Sequence, residues 1–219
     1  MGFKISLFLL SLIIFLVFTV FSYTVAKEMW QQIDFDTTVK LQDHISRKYD
    51  EIFSWFSILG SVEVTFGIAG LFSIFSLFRL KVWSFLGWLI IIPATMIEVI
   101  GKLLLFHPAT PVLFHRNVLE TDLPSFYVHT NFSYPSGHMT RTVFLLTVFL
   151  TILVFKWKDR FSKLILISGL IIFGFMMALT RVYLGEHWLS DVIGGGFLGV
   201  SSGLFAAIFI IGKKYVKIR

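Results

Sequence analysis

Long apolar segments separated by short polar ones dominate the pattern of this chain. A helix that crosses a bilayer needs about 20 mostly apolar residues, because lipid offers no hydrogen-bond partners to its backbone. Six segments meet this requirement, and no internal repeat or linker divides them. We therefore predict an all-α fold, in which residues 1–219 form one domain built as a six-helix transmembrane bundle. The predicted spans cover residues 5–23, 52–78, 82–106, 139–155, 164–179 and 192–211.

The composition supports a membrane protein. Hydrophobic residues make up 56% of the chain and charged residues only 15%, against about 25% charged in a soluble domain. Such a chain is not disordered, and it has too few polar side chains to cover a soluble surface. The absence of cysteine excludes disulfides, thiolate catalysis and cysteine-based metal sites.

The first apolar segment has two interpretations. Lys4 precedes it, and residues 24–26 loosely resemble a signal-peptide cleavage site. Its apolar stretch is, however, longer than the 7–15 residues usual in a signal peptide. We therefore expect a retained membrane anchor.

The basic residues predict the orientation in the cell membrane. With the N-terminus in the cytoplasm, 11 of the 19 Lys and Arg residues fall inside with a single acid, Asp159, while eight fall outside with eleven acids. Both termini are thus predicted to be cytoplasmic. The net charge of +6 then reports topology, and we expect no nucleic-acid partner. The inside set is Lys4, Arg79, Lys81, Lys156, Lys158, Arg160, Lys163, Lys213, Lys214, Lys217 and Arg219.

The first outside loop, residues 24–51, is mixed in charge and amphipathic. Its apolar residues are Phe35, Val39, Leu41 and Ile45. This pattern indicates an interfacial helix or a lid, and the alternative is a solvated connector.

The sequence Pro135-Ser136-Gly137-His138 precedes the fourth predicted span. Proline and glycine favour a turn, and Ser136 can cap the helix that follows. Free N–H groups at a helix start, together with the helix dipole, suit a phosphate. His138 adds an imidazole that can exchange a proton near neutral pH. The alternative is a capped helix with an interfacial histidine.

A second polar cluster, residues 181–191, leads into the sixth predicted span. His187 and Asp191 are four residues apart, so on a helix they share one face and can hydrogen-bond. A carboxylate that holds one ring nitrogen leaves the other free to attack. Arg181 offers a planar guanidinium to phosphate oxygens, and we expect Glu186 to be a surface loop residue. The alternative is an ordinary interfacial loop.

Three ionisable residues lie within or near the ends of predicted spans. Lys102 is near the outer end of the third span, where a lysine commonly extends to the interface. Glu63 and Glu98 lie inside spans, where a charge is costly, and we expect helix–helix hydrogen bonds for both. One predicted membrane face carries all the histidines, the aspartate and the cations of these clusters. Their combination favours phosphate chemistry.

These residues resemble the motifs of the type 2 phosphatidic acid phosphatase (PAP2) superfamily, which also includes the vanadium haloperoxidases. Its second motif, P-S-G-H, matches residues 135–138 in full. Its third motif, S-R-x5-H-x3-D, matches Arg181, His187 and Asp191 at the right spacing, with Thr180 in place of the serine. The resemblance covers residues 102–191, and the order of the motifs along six helices also matches.

The first motif of the superfamily, K-x6-R-P, matches only in part. Lys102 is present, whereas the positions of the arginine and the proline hold Ala109 and Thr110. One phosphate-binding cation is therefore missing from its usual place. Arg141 is the first candidate to replace it, and Arg116 or His107 could serve instead.

The resemblance implies a metal-independent phosphatase without a cofactor, acting on a lipid phosphate in the bilayer. His187 would attack phosphorus to give a phosphohistidine, Asp191 would orient it, and His138 would protonate the leaving oxygen and then activate water. The implied phosphate-binding residues are Lys102, Ser136, Gly137, Arg181 and Arg141. Undecaprenyl pyrophosphate, phosphatidylglycerol phosphate and phosphatidic acid are the substrate types of bacterial relatives.

Two other functions fit parts of this pattern. A vanadate-dependent haloperoxidase would use the same pocket, because vanadate mimics phosphate, but those relatives are mostly soluble. A non-catalytic lipid-phosphate binding or transport protein would explain the incomplete first motif.

Overall fold

The computed structural model describes residues 2–119 and 132–212, and the regular structure within these ranges is helical. The all-α prediction is therefore confirmed. The basic residues Lys213, Lys214, Lys217 and Arg219 of the orientation argument lie outside the described residues. The α-helices are α1 (Gly2–Ala26), α2 (Gln31–His44), α3 (Asp50–Leu59), α4 (Val62–Phe78), α5 (Val82–Trp88), α6 (Ile91–Leu104), α7 (Gly137–Lys156), α8 (Arg160–Tyr183) and α9 (Leu189–Ile210).

Among the described residues, five helical stretches are long and apolar enough to cross a bilayer, namely α1, α5 with α6, α7, α8 and α9. A sixth results if α3 and α4 count as one span, although the chain bends there by 45°. The prediction of an unbroken second span is therefore wrong. Ser61 caps α4 by accepting a hydrogen bond from the Val64 N–H at 3.2 Å, so a new helix begins where the apolar pattern runs on.

Helices α7 and α9 form the centre of the bundle because glycines let them approach closely. Three glycines of α9, four residues apart, face the backbone of α7, and an added Cβ would lie 2.5–2.9 Å from α7 carbonyl oxygens. These glycines are Gly195, Gly199 and Gly203. The close contact places the N-termini of both helices side by side.

The N-terminal helix α1 packs along the other side of α9. Ser11 donates a hydrogen bond to the Ser201 carbonyl at 2.9 Å, and Ser201 donates to the Ser11 carbonyl at 3.0 Å. Apolar contacts between Leu7, Leu204 and Ala207 extend the same interface. The first apolar segment is thus an integral part of the packed bundle.

Helix α2 covers the end of the bundle at which α7 and α9 begin. Its Asp34 and Thr38 side chains are buried, and Gln42 donates hydrogen bonds to the carbonyls of Phe114 and Tyr183 at 2.7 and 2.8 Å. The loop between the first two predicted spans is therefore a packed helix rather than a solvated connector.

The glycine contact makes a prediction with a control on the same helix. Gly199→Ala should lower the free energy of unfolding by about 1–3 kcal/mol, because the new methyl group overlaps the Thr140 carbonyl. Gly196→Ala should leave stability unchanged or raise it slightly, since nothing lies within 4 Å of that Cβ. Thermal unfolding of the detergent-purified variants measures both, and equal stability of the two would contradict the close packing.

Candidate active site

Four helix ends meet at one end of the bundle, where α6 and α8 end and α7 and α9 begin. This arrangement brings the two histidine clusters together, with the ring centroids of His138 and His187 6.4 Å apart. The prediction that both clusters lie on the same side of the bundle agrees with this geometry.

The Pro135–His138 turn starts α7 and is tied to α9. Ser136 is the N-cap, and its Oγ accepts a hydrogen bond from the Met139 N–H at 3.4 Å, as expected from the sequence. The Ser136 N–H donates to the backbone carbonyl of Asp191 at 3.0 Å. On the other side, Nε2 of His138 lies 3.2 Å from the Ser57 carbonyl of α3, so the turn contacts α9 through its backbone and α3 through the imidazole.

Asp191 and His187 form the predicted hydrogen-bonded pair, but they do not lie on one face of a helix as predicted. Nδ1 of His187 lies 3.2 Å from Oδ2 of Asp191, yet His187 precedes α9 rather than sharing a helical face with Asp191. Asp191 is in the first turn of α9, and the same Oδ2 accepts the Trp188 N–H at 3.0 Å. Helix capping thus fixes the carboxylate, and the carboxylate fixes one nitrogen of the imidazole.

Arg181 is completely buried at the end of α8. Its guanidinium forms an ion pair with Glu186 and donates to Ser57 Oγ at 2.6 Å. Glu186 also accepts hydrogen bonds from Ser57 and Asn117, each at 2.7 Å. The expectation that Glu186 is a surface loop residue is therefore wrong, since its carboxylate neutralises a buried arginine.

The turn that carries Glu186 to Arg181 depends on Gly185. This residue has a φ of +65°, a left-handed conformation that glycine adopts without steric cost. A Cβ there would also collide with the Phe114 backbone. The chain can therefore reverse directly after α8 and place Glu186 and His187 over the buried helix ends.

Glu98 joins the two remaining cations of the site. Its Oε1 lies 2.9 Å from Lys102 Nζ, one turn along α6, and its Oε2 accepts a hydrogen bond from Arg141 of α7 at 2.8 Å. All three side chains are at most 4% exposed, so Lys102 does not extend to the interface. The expected helix–helix hydrogen bond of Glu98 is present. Gly137 makes room for it, because a Cβ at that position would lie 2.5 Å from Glu98 Oε1.

The three candidates for the missing arginine have different surroundings. Arg141 shares the counter-ion of Lys102. Arg116 instead lies over the Tyr183 ring, 5.2 Å from its centroid, and donates to its hydroxyl at 3.2 Å. His107 lies 3.6 Å from Asp191 Oδ1. Only Arg141 therefore joins the cation that the first motif does supply.

One of the two first-motif positions that differ, Thr110, makes a structural contact. Thr110 is buried and donates a hydrogen bond to the Gly185 carbonyl at 2.5 Å. This bond holds the segment after α6 against the turn after α8. The position thus supports the backbone of the site and supplies no charge.

Sequence reasoning missed Ser57, Asn117 and Asp34. Ser57 lies within an apolar segment and Asn117 in a loop, and their shared partner, Glu186, follows about 70 residues later or more. No local pattern signals such contacts. They become visible only when the helices are packed.

Two groups beside the site and outside the membrane-spanning helices have perturbed acidity. Burial raises the pKa of Asp34, although hydrogen bonds from Ser190 oppose this effect. Burial also raises the pKa of Tyr134, whose hydroxyl lies 2.8 Å from Ser22 Oγ. Across residues 2–119 and 132–212, no group of three or more His, Asp or Glu side chains is arranged to hold a metal ion.

Residues 102–214 match the PAP2 superfamily. This match covers just over half of the chain, and the chain belongs to that superfamily. A curated relative, phosphatidylglycerophosphatase B of Bacillus subtilis strain 168, is 34% identical over 74 residues, which are 32% of this chain and 36% of the relative. The match thus spans about a third of that relative's length.

Two solved structures share the fold. The transmembrane PAP2 type phosphatidylglycerolphosphate phosphatase from Bacillus subtilis superposes with a TM-score of 0.69 at 20% identity, covering 95% of this chain and 98% of the other. Aquifex aeolicus LpxE superposes with a TM-score of 0.55 at 22% identity, covering 80% and 94%. At these identities the likeness establishes the fold.

The shared carboxylate of Glu98 makes a stability prediction. Glu98→Gln should lower the free energy of unfolding by about 3–5 kcal/mol, because it leaves two buried cations without their counter-ion. Adding Lys102→Met restores the original net charge of the cluster and should recover part of the loss. Thermal unfolding in detergent measures both variants, and no difference between wild type and Glu98→Gln would rule out the charge-pairing role.

Proposed function

We propose that this protein is an integral-membrane phosphatase that hydrolyses a lipid phosphate through a phosphohistidine intermediate. One observation carries the proposal. Two imidazoles lie 6.4 Å apart, one held by a buried carboxylate, beside three buried cations. A nucleophile, a general acid and charge stabilisers are the parts that phosphoryl transfer requires.

In the first step, Nε2 of His187 attacks phosphorus and forms a P–N bond. The P–O bond to the lipid breaks, and His138 gives a proton to the leaving oxygen. In the second step, His138 takes a proton from water, whose oxygen attacks phosphorus. The P–N bond then breaks, inorganic phosphate leaves and His187 is regenerated. Asp191 stabilises the positive charge that develops on the His187 ring.

The buried cations would stabilise negative charge on the phosphate oxygens. Arg181 can contribute directly, because its Nε is buried and finds no hydrogen-bond acceptor within the described parts of the chain. Lys102 and Arg141 would act together, with Arg141 in the role of the missing first-motif arginine. Ser136 and the Gly137 N–H at the start of α7 would complete the phosphate site.

The position of the site favours a substrate that stays in the membrane. The histidines lie where spanning helices end, so a phosphate headgroup could reach them while its apolar tail remains among the lipids. The 34% identical relative is a phosphatidylglycerophosphatase. We therefore place phosphatidylglycerol phosphate first among the substrates, before undecaprenyl pyrophosphate and phosphatidic acid.

Phosphate release tests the proposal directly. The purified protein should release phosphate from the three lipids, fastest from phosphatidylglycerol phosphate. His187→Ala should abolish release, because it removes the proposed acceptor of the phosphoryl group. His44→Ala, an exposed histidine on α2, is the control and should retain activity. Full activity of His187→Ala would refute the assignment of the nucleophile.

The assay also distinguishes the two alternative functions. Bromide oxidation in the presence of vanadate and peroxide, without phosphate release, would favour a haloperoxidase. Binding of lipid phosphate without turnover by the wild-type protein would favour a binding or transport protein.

The role of Arg141 has its own test. Arg141→Ala should lower kcat/KM about tenfold or more, equivalent to about 1.4 kcal/mol of transition-state stabilisation. Glu98 would still pair with Lys102 at 2.9 Å, so the bundle should remain folded. The matched variant Arg116→Ala should stay within about twofold of wild type. A larger loss in Arg116→Ala than in Arg141→Ala would transfer the role to Arg116.

We also propose that the site faces the extracytoplasmic side of the cell membrane, as the basic residues indicate. The chain contains no cysteine, so single cysteines can be labelled without background. Val112 lies beside the site and is 80% exposed, whereas Arg160 is the first residue of α8, at the opposite end of the bundle; each is replaced by cysteine in turn. An impermeant maleimide added to whole cells should label only the cysteine at 112, and the reverse result would invert the topology.

A further inference from the structure

The catalytic carboxylate of Asp191 has a second neighbour that the mechanism does not use. Oδ2 of Asp191 lies 3.2 Å from Nδ1 of His187 and accepts a hydrogen bond from the Trp188 N–H. Oδ1 is buried and accepts no hydrogen bond from the described part of the chain. The imidazole of His107 faces it, with Nε2 3.6 Å away.

His107 in turn lies against a second buried carboxylate. Its Nε2 is 3.7 Å from Oδ2 of Asp34 and 3.3 Å from Oγ of Ser190. Asp34 is fixed by two hydrogen bonds from Ser190, one from the backbone N–H at 2.8 Å and one from the hydroxyl at 2.7 Å. Asp34 and His107 are 2% and 5% exposed, so bulk water does not screen this cluster.

Three distant parts of the chain build the cluster. Asp34 comes from α2, His107 from the segment after α6, and Ser190 with Asp191 from the first turn of α9. Burying two carboxylates near each other is unfavourable unless a donor or a positive charge lies between them. An imidazole can supply either, as a neutral N–H donor or as an imidazolium. His107 therefore explains how both acids can be buried.

We infer that Asp34 and His107 are positioning residues that extend the Asp191–His187 pair into a carboxylate–imidazole chain, Asp34–His107–Asp191–His187. The inference rests on the proposed function. In this chain, His107 restrains Oδ1 of Asp191, so that Oδ2 stays directed at Nδ1 of His187. Asp34 restrains His107, because its Oδ2 lies 3.7 Å from the same Nε2. The nucleophile is thereby held from α2, the helix that covers this end of the bundle.

The proposed carboxylate–imidazole chain leads to a specific kinetic prediction. His107→Ala should lower kcat at least about tenfold and leave KM within about threefold, because substrate contacts remain while the nucleophile loses its orientation. His107→Gln should recover most of kcat, because its amide N–H group can reach Asp191 Oδ1, which the imidazole of His107 faces at 3.6 Å. Asp34→Asn should also lower kcat, and its effect should be much smaller in the His107→Ala background, because both residues act through Asp191.

A matched control comes from the same helix. Asp36 is two residues from Asp34 on α2, where it pairs with Gln32 at 2.8 Å, and Asp36→Asn should keep wild-type kinetics. Thermal unfolding of every variant separates lost activity from lost fold. A kcat of His107→Ala within twofold of wild type would overturn the inference. The inference would also be overturned if His107→Ala lost activity in parallel with its fold and His107→Gln did not restore that activity. Additive effects of Asp34→Asn and His107→Ala on kcat would overturn it as well.

A second measurement does not depend on turnover. Histidine-selective 15N NMR in micelles should show a downfield Nδ1 proton of His187 bonded to Asp191, and this signal should shift or broaden in His107→Ala but not in Asp36→Asn. An unchanged signal would overturn the inference even if the enzyme is active. Conversely, if the His187 signal changes in His107→Ala as expected but the wild-type protein releases no phosphate, only the proposed function is contradicted.

Discussion

The Glu98 carboxylate lies between Lys102 and Arg141 inside an apolar bundle, and the layout of the site follows from this arrangement. A charge in a membrane interior is costly unless it is paired. Phosphoryl transfer nevertheless requires several cations near one point. One carboxylate that serves two cations leaves the cluster with a net positive charge at a tolerable cost, and it links α6 to α7. At the end of α8, the buried Arg181 is likewise paired with a carboxylate, that of Glu186.

Glycine makes the pairing possible because it removes side-chain volume where charged groups and helices must meet. Gly137 leaves room for Glu98 beside the start of α7, while Gly199 lets α9 lie against the backbone of α7. The two histidine-bearing ends are consequently held side by side by packing and not by any bond between the histidines. Substitution of Gly199 would therefore displace the histidines without changing any group of the site.

The apolar segments were sufficient to predict the all-α membrane fold, and the two local motifs were sufficient to predict the hydrogen bonds of Ser136 and of the His187–Asp191 pair. Ser136, His187 and Asp191 were predictable because their contacts span only a few residues. The break before α4, the pairing of Glu186 and the burial of Asp34 were not. The break before α4 follows from the Ser61 cap, which the continuing apolar pattern conceals. Glu186 and Asp34 instead depend on contacts with segments far apart in sequence, such as Asp34 with Ser190, 156 residues away.

The central claim is that a histidine held by a buried carboxylate receives the phosphoryl group. Rapid quenching at alkaline pH during turnover of a lipid phosphate, followed by mass spectrometry of the peptides, tests it most directly, because phosphohistidine survives in base. We predict one phosphoryl group on His187 in the wild-type protein and none in His187→Ala. Turnover without a phosphorylated histidine, or with the phosphoryl group on another residue, would contradict the claim.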